Sequence, residues 1–126
     1  MDSRKPIVKK ISIYELETSD NGTISLPSIH VEREIMQDMD EHLKKKVLKE
    51  QLEVVLVNMT DGSASNVWFS RKKKEYVFKN FFQVIENYEI KNGDSIELLP
   101  EKEFINDKMI LGFNISRRPD SLPPSQ

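Results

Sequence analysis

The chain has 126 residues, no cysteine, and 19 lysines and arginines against 21 aspartates and glutamates, which gives a net charge of −2. This length suits one domain with its own hydrophobic core, and the lack of cysteine excludes disulfides, thiolate metal sites and a thiol nucleophile. The nearly neutral balance argues against a polyanion binder that works by bulk charge. The apolar runs are far shorter than the about 20 residues that cross a bilayer, so we expect no membrane association.

The first third of the chain predicts two strands followed by helix. Apolar residues alternate in KKISIYEL (9–16), which predicts a half-buried strand. TSDNGT contains the tight-turn pair Asn-Gly, and TISL then reads as a short strand that ends before Pro27. These features predict a β–turn–β unit ahead of the first helix.

From residue 28 the pattern changes to a helical period. Apolar side chains recur every four residues from Val31 to Leu43, with acidic residues early and Lys44, Lys45 and Lys46 late. The helix dipole favours this order of charges. The pattern fits either one helix that runs to Lys49 or two shorter helices.

The second half of the chain predicts five strands and one helix. QLEVVLVNM reads as a buried strand, while NVWFS and EYVFK read as short strands on either side of the basic run at residues 71–74. Trp68 and Phe69 are adjacent in such a strand, so one side chain should enter the core and the other face outward.

Asn80 is a plausible N-cap for the helix FFQVIENY, and the turn KNGD separates that helix from the strand SIELLP. KMILGFNI predicts the last strand. The order is therefore β-β-α-β-β-β-α-β-β. Seven short strands and two helices predict a small, mainly antiparallel, barrel-like sheet whose ends are covered by the helices.

Enzyme chemistry has no positive support in the sequence. His30 and His42 lie twelve residues apart and form no local metal pair. The carboxylates lie among lysines or in loops, which is typical of a solvated surface rather than of an acid–base pair. We expect no catalytic residue, metal, cofactor or small-molecule substrate.

The positive charge is concentrated in two short segments. Residues 1–10 and 67–92 each carry a net charge of +3, whereas residues 11–66 carry −6 and residues 93–126 carry −2. The run at residues 71–74 is either a solvated turn or a device that holds a polyanion, because lysine and arginine supply the phosphate contacts of nucleic-acid binders. Asn66 and Ser70 add hydrogen-bonding groups beside it.

Four stretches in this order resemble the plant-specific B3 DNA-binding domain, in a divergent form. They are TSDNGTISLPSIHVE, NVWFSRKKKEYVFKN, NFFQVIENYEIKNGDSIEL and MILGFNISRR, which together extend from about residue 9 to residue 118. The resemblance implies a B3-like domain at residues 7–118 that is mainly β, a seven-stranded, open, antiparallel pseudobarrel with two short helices. We expect a flexible segment at residues 1–6 and a disordered tail at residues 119–126, where RRPDSLPPSQ has three prolines and almost no apolar content.

The resemblance also implies sequence-specific binding of double-stranded DNA by a nuclear plant transcription factor. Two arms would enter the major groove, namely the β1–β2 loop at about residues 18–23 and the hairpin at about residues 66–74. The implied DNA-binding residues are Lys9, Lys10, Thr18, Ser19, Asn21, Asn66, Ser70, Arg71, Lys72, Lys73, Lys74 and Lys79.

The first of these arms contains Asp20 but no lysine or arginine. Glu17 directly precedes the arm. Carboxylates that face phosphates weaken DNA binding. The alternative is therefore a B3-like module that has lost or weakened DNA binding and recognises a protein partner.

Overall fold

A computed structural model describes residues 5–12, 15 and 22–117. Among these residues, no helix is long and apolar enough to span a membrane. The seven strands are β1 (Ile7–Lys10), β2 (Ile24–Leu26), β3 (Leu52–Asn58), β4 (Ala64–Lys72), β5 (Glu75–Lys79), β6 (Ser95–Ile105) and β7 (Lys108–Ser116). The helices are α1 (Ser28–Val31), α2 (Glu41–Lys49) and α3 (Phe82–Asn87).

All seven strands form one sheet in the order β1-β6-β7-β3-β4-β5-β2. Neighbouring strands are antiparallel except β3 and β7, which are parallel, so the sheet is mixed. The sheet curls into a nearly closed pseudobarrel, which confirms the predicted fold class. Short turns join the strands of the antiparallel pairs β3–β4, β4–β5 and β6–β7.

The first helical region divides into separate pieces. α1 continues directly into a π-helical turn, Glu32–Met36, and Asp40 then adopts an extended conformation with ψ 144° before α2 begins. Leu43 and Val47 are the buried residues of α2, and they fall on one face because they lie four positions apart. The sequence allowed one helix or two, and the structure shows the divided form.

Two local predictions were wrong. The predicted strand at residues 9–16 is replaced by β1, which starts at Ile7 and ends at Lys10; residues 13, 14 and 16 lie outside the described residues. Asn80 does not cap α3, because it adopts a left-handed conformation with φ 64° and its side-chain amide donates to the Asn66 carbonyl over 3.5 Å. The N-cap position is Phe81, without a side-chain cap.

The core fills the inside of the sheet, and an aromatic ladder runs through it along the β4–β5 hairpin. The ring of Phe69 stacks on Tyr76 at 5.8 Å and meets Phe78 edge-on at 5.6 Å, and Phe78 stacks on Phe81 at 6.4 Å. Phe69 is fully buried, whereas Trp68 is 37% exposed, as the alternation of side chains predicts. The ladder fixes the hairpin to the barrel because each aromatic contact adds to the burial energy.

Glu15 joins the two ends of the sheet. Its carboxylate lies 2.9 Å from the Lys9 ammonium on β1 and accepts a hydrogen bond from the Ser25 backbone N–H on β2 over 3.2 Å. Burial alone raises the pKa of Glu15, but the hydrogen bonds from Lys9, Ser25 and Ser12 outweigh it, so that the pKa lies below its ordinary value of 4.5. We call this arrangement the Glu15 clasp.

Candidate nucleic-acid interface

The basic run forms the end of the β4–β5 hairpin. Lys72 of β4 lies opposite Glu75 of β5, so Lys73 and Lys74 form a two-residue turn, with Lys73 at φ 59°. The Ser28 hydroxyl donates a hydrogen bond to the Lys74 carbonyl over 3.2 Å, which ties the turn to the start of α1. Strand pairing and this contact therefore set the direction in which the run projects.

Strand alternation divides the four cations of the run. Arg71 lies on the same face of β4 as the core residue Phe69 and opposite Tyr76, whereas Lys72 lies on the other face. Lys72, Lys73 and Lys74, which we call the lysine tip, are all exposed. None of the three forms an ion pair with another residue in the described part of the chain.

Arg71 is already engaged within the protein. Its guanidinium carbon lies 5.4 Å from the centroid of the Tyr76 ring, and its Nη1 lies 4.0 Å from Oε2 of Glu32. The Tyr76 hydroxyl donates to the same Glu32 oxygen over 2.9 Å. Burial, followed by this hydrogen bond, raises the pKa of Tyr76 to about 12. The arginine is therefore directed toward the π-helical turn rather than to the face that carries Lys72.

The face of the hairpin that carries Lys72 holds most of the remaining candidates, and we call it the outer face. On β4 it consists of Asn66, Trp68, Ser70 and Lys72, and Lys79 of β5 lies directly opposite Trp68. Among these, Ser70 is only 4% exposed. The Asn66 amide donates to Oε2 of Glu53 over 2.6 Å. The outer face therefore combines an exposed indole, an amide and two lysines.

The candidates near the N-terminus differ in their accessibility. Lys9 is held in the Glu15 clasp, and its side chain is only 16% exposed. Lys10 is exposed at the end of β1. Thr18, Ser19 and Asn21, the candidates of the first arm, lie outside the described residues.

Known proteins resemble the chain in structure but not detectably in sequence. No protein-family model and no curated protein matches the sequence. The structure of the Arabidopsis FUS3–DNA complex matches with a TM-score of 0.62 at 13% identity, and the match covers 91% of this chain and 99% of that one. The N-terminal domain of LlaJI.R1 from Helicobacter pylori matches with a TM-score of 0.52 at 14% identity, over 90% of this chain and 81% of that one.

The fold is B3-like. The structural matches to an Arabidopsis domain and to a bacterial domain confirm, at the level of the fold, the resemblance seen in the four sequence stretches. Identities of 13% and 14% carry no information about individual residues, so the roles of the outer face and the lysine tip must be argued from this chain.

The B3-like domain shows no metal centre among its described residues, where no three histidine, aspartate or glutamate side chains come together. His42 lies 3.5 Å from Asp107, on the flank of α2 that faces the β6–β7 hairpin. His30 is exposed on α1.

Sequence reasoning missed two features of this B3-like site. Glu32 lies far from the basic run in sequence, and no local pattern signals its contact with Arg71. The lysines of α2 were counted within an acidic segment, although α2 itself carries four lysines and one glutamate. A net charge counted for the helix alone, rather than over residues 11–66, would have found them.

Proposed function

We propose that this domain binds double-stranded DNA in the major groove with the outer face and lysine tip of its β4–β5 hairpin. The observation that carries the proposal is the lysine tip itself, three exposed cations without an ion-pair partner in the described structure, at the end of a rigidly packed hairpin. The structural match to FUS3, which was solved with DNA, supports it. A nuclear plant transcription factor is the wider role that we propose.

The end of the hairpin is a two-stranded ribbon, because the pairing of β4 with β3 ends at Phe69 and the pairing of β5 with β2 begins at Tyr76. The major groove is about 12 Å wide and admits a two-stranded β-ribbon. Lys72 and Lys79 lie on the outer face and are placed to contact phosphates, which fix orientation and supply most of the affinity. Trp68 lies level with Lys79, and Asn66 lies beyond that pair, farther from the turn. Both would meet base edges, the indole as an apolar surface for thymine methyl groups.

The remaining candidates have secondary roles in this proposal. Lys10 would add a phosphate contact from β1, while Thr18, Ser19 and Asn21 of the first arm would donate hydrogen bonds. Lys9, Asn66, Ser70 and Arg71 are occupied or buried in the free domain. Their contribution would require release from Glu15, from Glu53, from the strand surface and from Glu32 respectively.

The test is selection from random duplex DNA at low salt, followed by fluorescence anisotropy on the selected site. Lys72→Ala with Lys73→Ala should weaken binding and lower the slope of log affinity against log salt by about 2. Lys46→Ala with Lys91→Ala is the matched control, because it removes the same charge outside the hairpin. Equal affinity of the two double variants would contradict the assignment of the lysine tip.

Binding of a protein partner is the second candidate function. A groove of about 470 Å³ lies on β3, β6 and β7, and it is lined by Val57, Leu99 and Ile110 together with Met59, which is 55% exposed. Glu101 and Glu103 also line it, so it fits a segment with apolar and basic side chains. Absence of DNA binding at micromolar protein and low salt would favour this function.

A further inference from the structure

A groove of about 330 Å³ lies between α2, the π-helical turn and the face of the β4–β5 hairpin opposite the outer face. Its apolar surface consists of Met36 and Tyr76, which are buried, and of Leu48, which is 43% exposed. One exposed leucine is ordinary on a protein surface, but here it continues an apolar wall that reaches into the core. The groove can therefore receive a bulky apolar side chain from outside.

Two cations, Lys44 and Arg71, line the same groove. Lys44 is weakly paired with the exposed Glu41 at 3.5 Å. The Arg71 guanidinium is fixed over the Tyr76 ring, and its ion-pair partner Glu32 lies 4.0 Å away, which is too far for a hydrogen bond. Within residues 5–12, 15 and 22–117, no group accepts a hydrogen bond from this guanidinium. Its planar set of N–H donors is therefore held in place and available to a second carboxylate.

Glu32 already shows how a carboxylate fits beside these groups. Its Oε2 accepts a hydrogen bond from the Tyr76 hydroxyl over 2.9 Å while it faces Arg71. The lining as a whole has two cations, Lys44 and Arg71, against the one carboxylate of Glu32. The other lysines of α2 lie nearby and add to the positive potential. The groove therefore favours an acidic ligand, whereas the acidic groove on β3, β6 and β7 favours a basic one.

We propose that this groove docks an acidic, apolar segment of a protein partner. A bulky apolar side chain of the segment packs against Leu48 and Met36, and its carboxylates bind Lys44 and Arg71. Charge complementarity selects the acidic segment over a basic one, and the apolar wall adds the burial that a purely ionic contact lacks.

The groove and the proposed DNA-binding surface lie on opposite sides of the hairpin. Arg71 and Tyr76 are on the face of the strands that also carries Phe69, whereas Lys72 and Lys79 are on the outer face. The groove therefore stays open to a partner while the outer face holds DNA. The inference goes beyond DNA binding and does not depend on it, because the groove is complete in the free domain.

Selection from short random peptides displayed on phage, with the immobilised domain as target, supplies the probe. The selected peptides should combine aspartate or glutamate with leucine, phenylalanine or tryptophan. Lys44→Gln with Leu48→Gln should weaken the binding of a labelled selected peptide about tenfold in fluorescence anisotropy, because it removes one cation and the exposed part of the apolar wall. Arg71→Lys, which keeps the charge but loses the planar donors, should weaken it about threefold.

The matched control is Lys45→Gln with Lys49→Gln. It removes two charges from the same helix at positions outside the groove lining, and it should change peptide affinity by less than about twofold at physiological salt. Equal unfolding midpoints show that the variants are folded. Selected peptides without acidic residues, or a loss in the control as large as that in Lys44→Gln with Leu48→Gln, would overturn the proposal.

Two further measurements separate this proposal from its neighbours. Dimerisation of the domain alone, abolished by Lys44→Gln with Leu48→Gln, would identify a second copy as the occupant and overturn the proposed partner. The selected DNA duplex should leave the peptide affinity unchanged, and displacement of the peptide would show that the groove does not stay open on DNA. A domain that binds the peptide but no duplex would overturn the proposed function alone.

Discussion

The guanidinium of Arg71 lies over the ring of Tyr76, with its central carbon 5.4 Å from the ring centroid. Both side chains reach the same carboxylate oxygen of Glu32, at 4.0 Å for Arg71 and 2.9 Å for Tyr76. The only arginine of the basic run is thus restrained by an acidic residue from the π-helical turn. Glu32 therefore lowers the positive potential near the end of the hairpin.

Glu32→Gln should strengthen DNA binding about threefold at low salt, because it removes a negative charge close to phosphates while the amide still accepts the Tyr76 hydrogen bond. The gain should shrink as salt rises, since exposed charges are screened. Anisotropy at two salt concentrations measures it, with Glu86→Gln on α3 as the control. The pKa of Tyr76 should also fall below its present value of about 12 because the Glu32 charge is lost, as ultraviolet titration would show, and it should stay raised because burial is the largest cause. Unchanged or weaker binding would contradict the restraining role.

Lys73→Gly should raise stability and lower DNA affinity at the same time. Lys73 adopts φ 59°, which costs a non-glycine residue about 1 kcal/mol, so glycine should raise the free energy of unfolding by about 0.5–1 kcal/mol. Loss of one phosphate contact should lower the salt slope by about 1. Lys74→Gly is the control, because it removes the same charge at a residue without positive φ. Denaturant unfolding measures the stability of the two variants, and anisotropy measures their DNA affinity. An equal gain in stability in both variants would refute the prediction.

Glu15→Gln should destabilise the domain at neutral pH and much less in acid. The folded pKa of Glu15 is lowered, so its stabilisation is complete above the unfolded value of 4.5 and is lost as the pH falls through the folded pKa. Melting temperatures of the wild type and the variant, measured between about pH 7 and about pH 3, should therefore converge toward the acid end. A gap that stays constant across this range would show that the carboxylate charge does not stabilise the clasp.

Gly22→Ala should destabilise the domain strongly. Gly22 has φ 67°, and a Cβ atom there would lie 2.3 Å from the backbone nitrogen of Phe82, which cannot move without displacing α3. The expected loss is roughly 2–4 kcal/mol in the free energy of unfolding. Gly62→Ala is the matched control, since Gly62 has φ 77° but nothing within 4 Å, and it should cost only about 1 kcal/mol. Similar losses in both variants would mean that strain alone, and not the contact with Phe82, determines the effect.

The sequence predicts the order of the elements because the signals for it are local. The basic turn at residues 73 and 74 is flanked by alternating apolar residues, and that pattern is sufficient to predict the β4–β5 hairpin. Asn21-Gly22 marks a turn in the same way, but the strands on either side of it pair with β6 and β5 rather than with each other. The exposure of Trp68 beside the buried Phe69 follows from the same alternation. The B3-like arrangement could then be anticipated from the ordered set of stretches.

The contacts that decide which cations are available are not local. Arg71 is held by Glu32, and Lys9 by a clasp whose other partner is Ser25 on a different strand. Side chains that meet only after the sheet has curled leave no periodic signal in the chain. Asn80 failed as a cap for a related reason, because its left-handed backbone is imposed by the junction between β5 and α3.

The Glu15 clasp lies between β1 and β2, which are the first and last strands of the sheet. Sheet edges are the places at which one protein chain adds to another, and short strands and charged side chains there oppose such pairing. β1 has four residues and β2 has three, and the clasp draws the two edges toward each other. A domain that has lost the clasp would therefore expose two sheet edges at once. We expect such a domain to self-associate through these edges rather than simply to unfold.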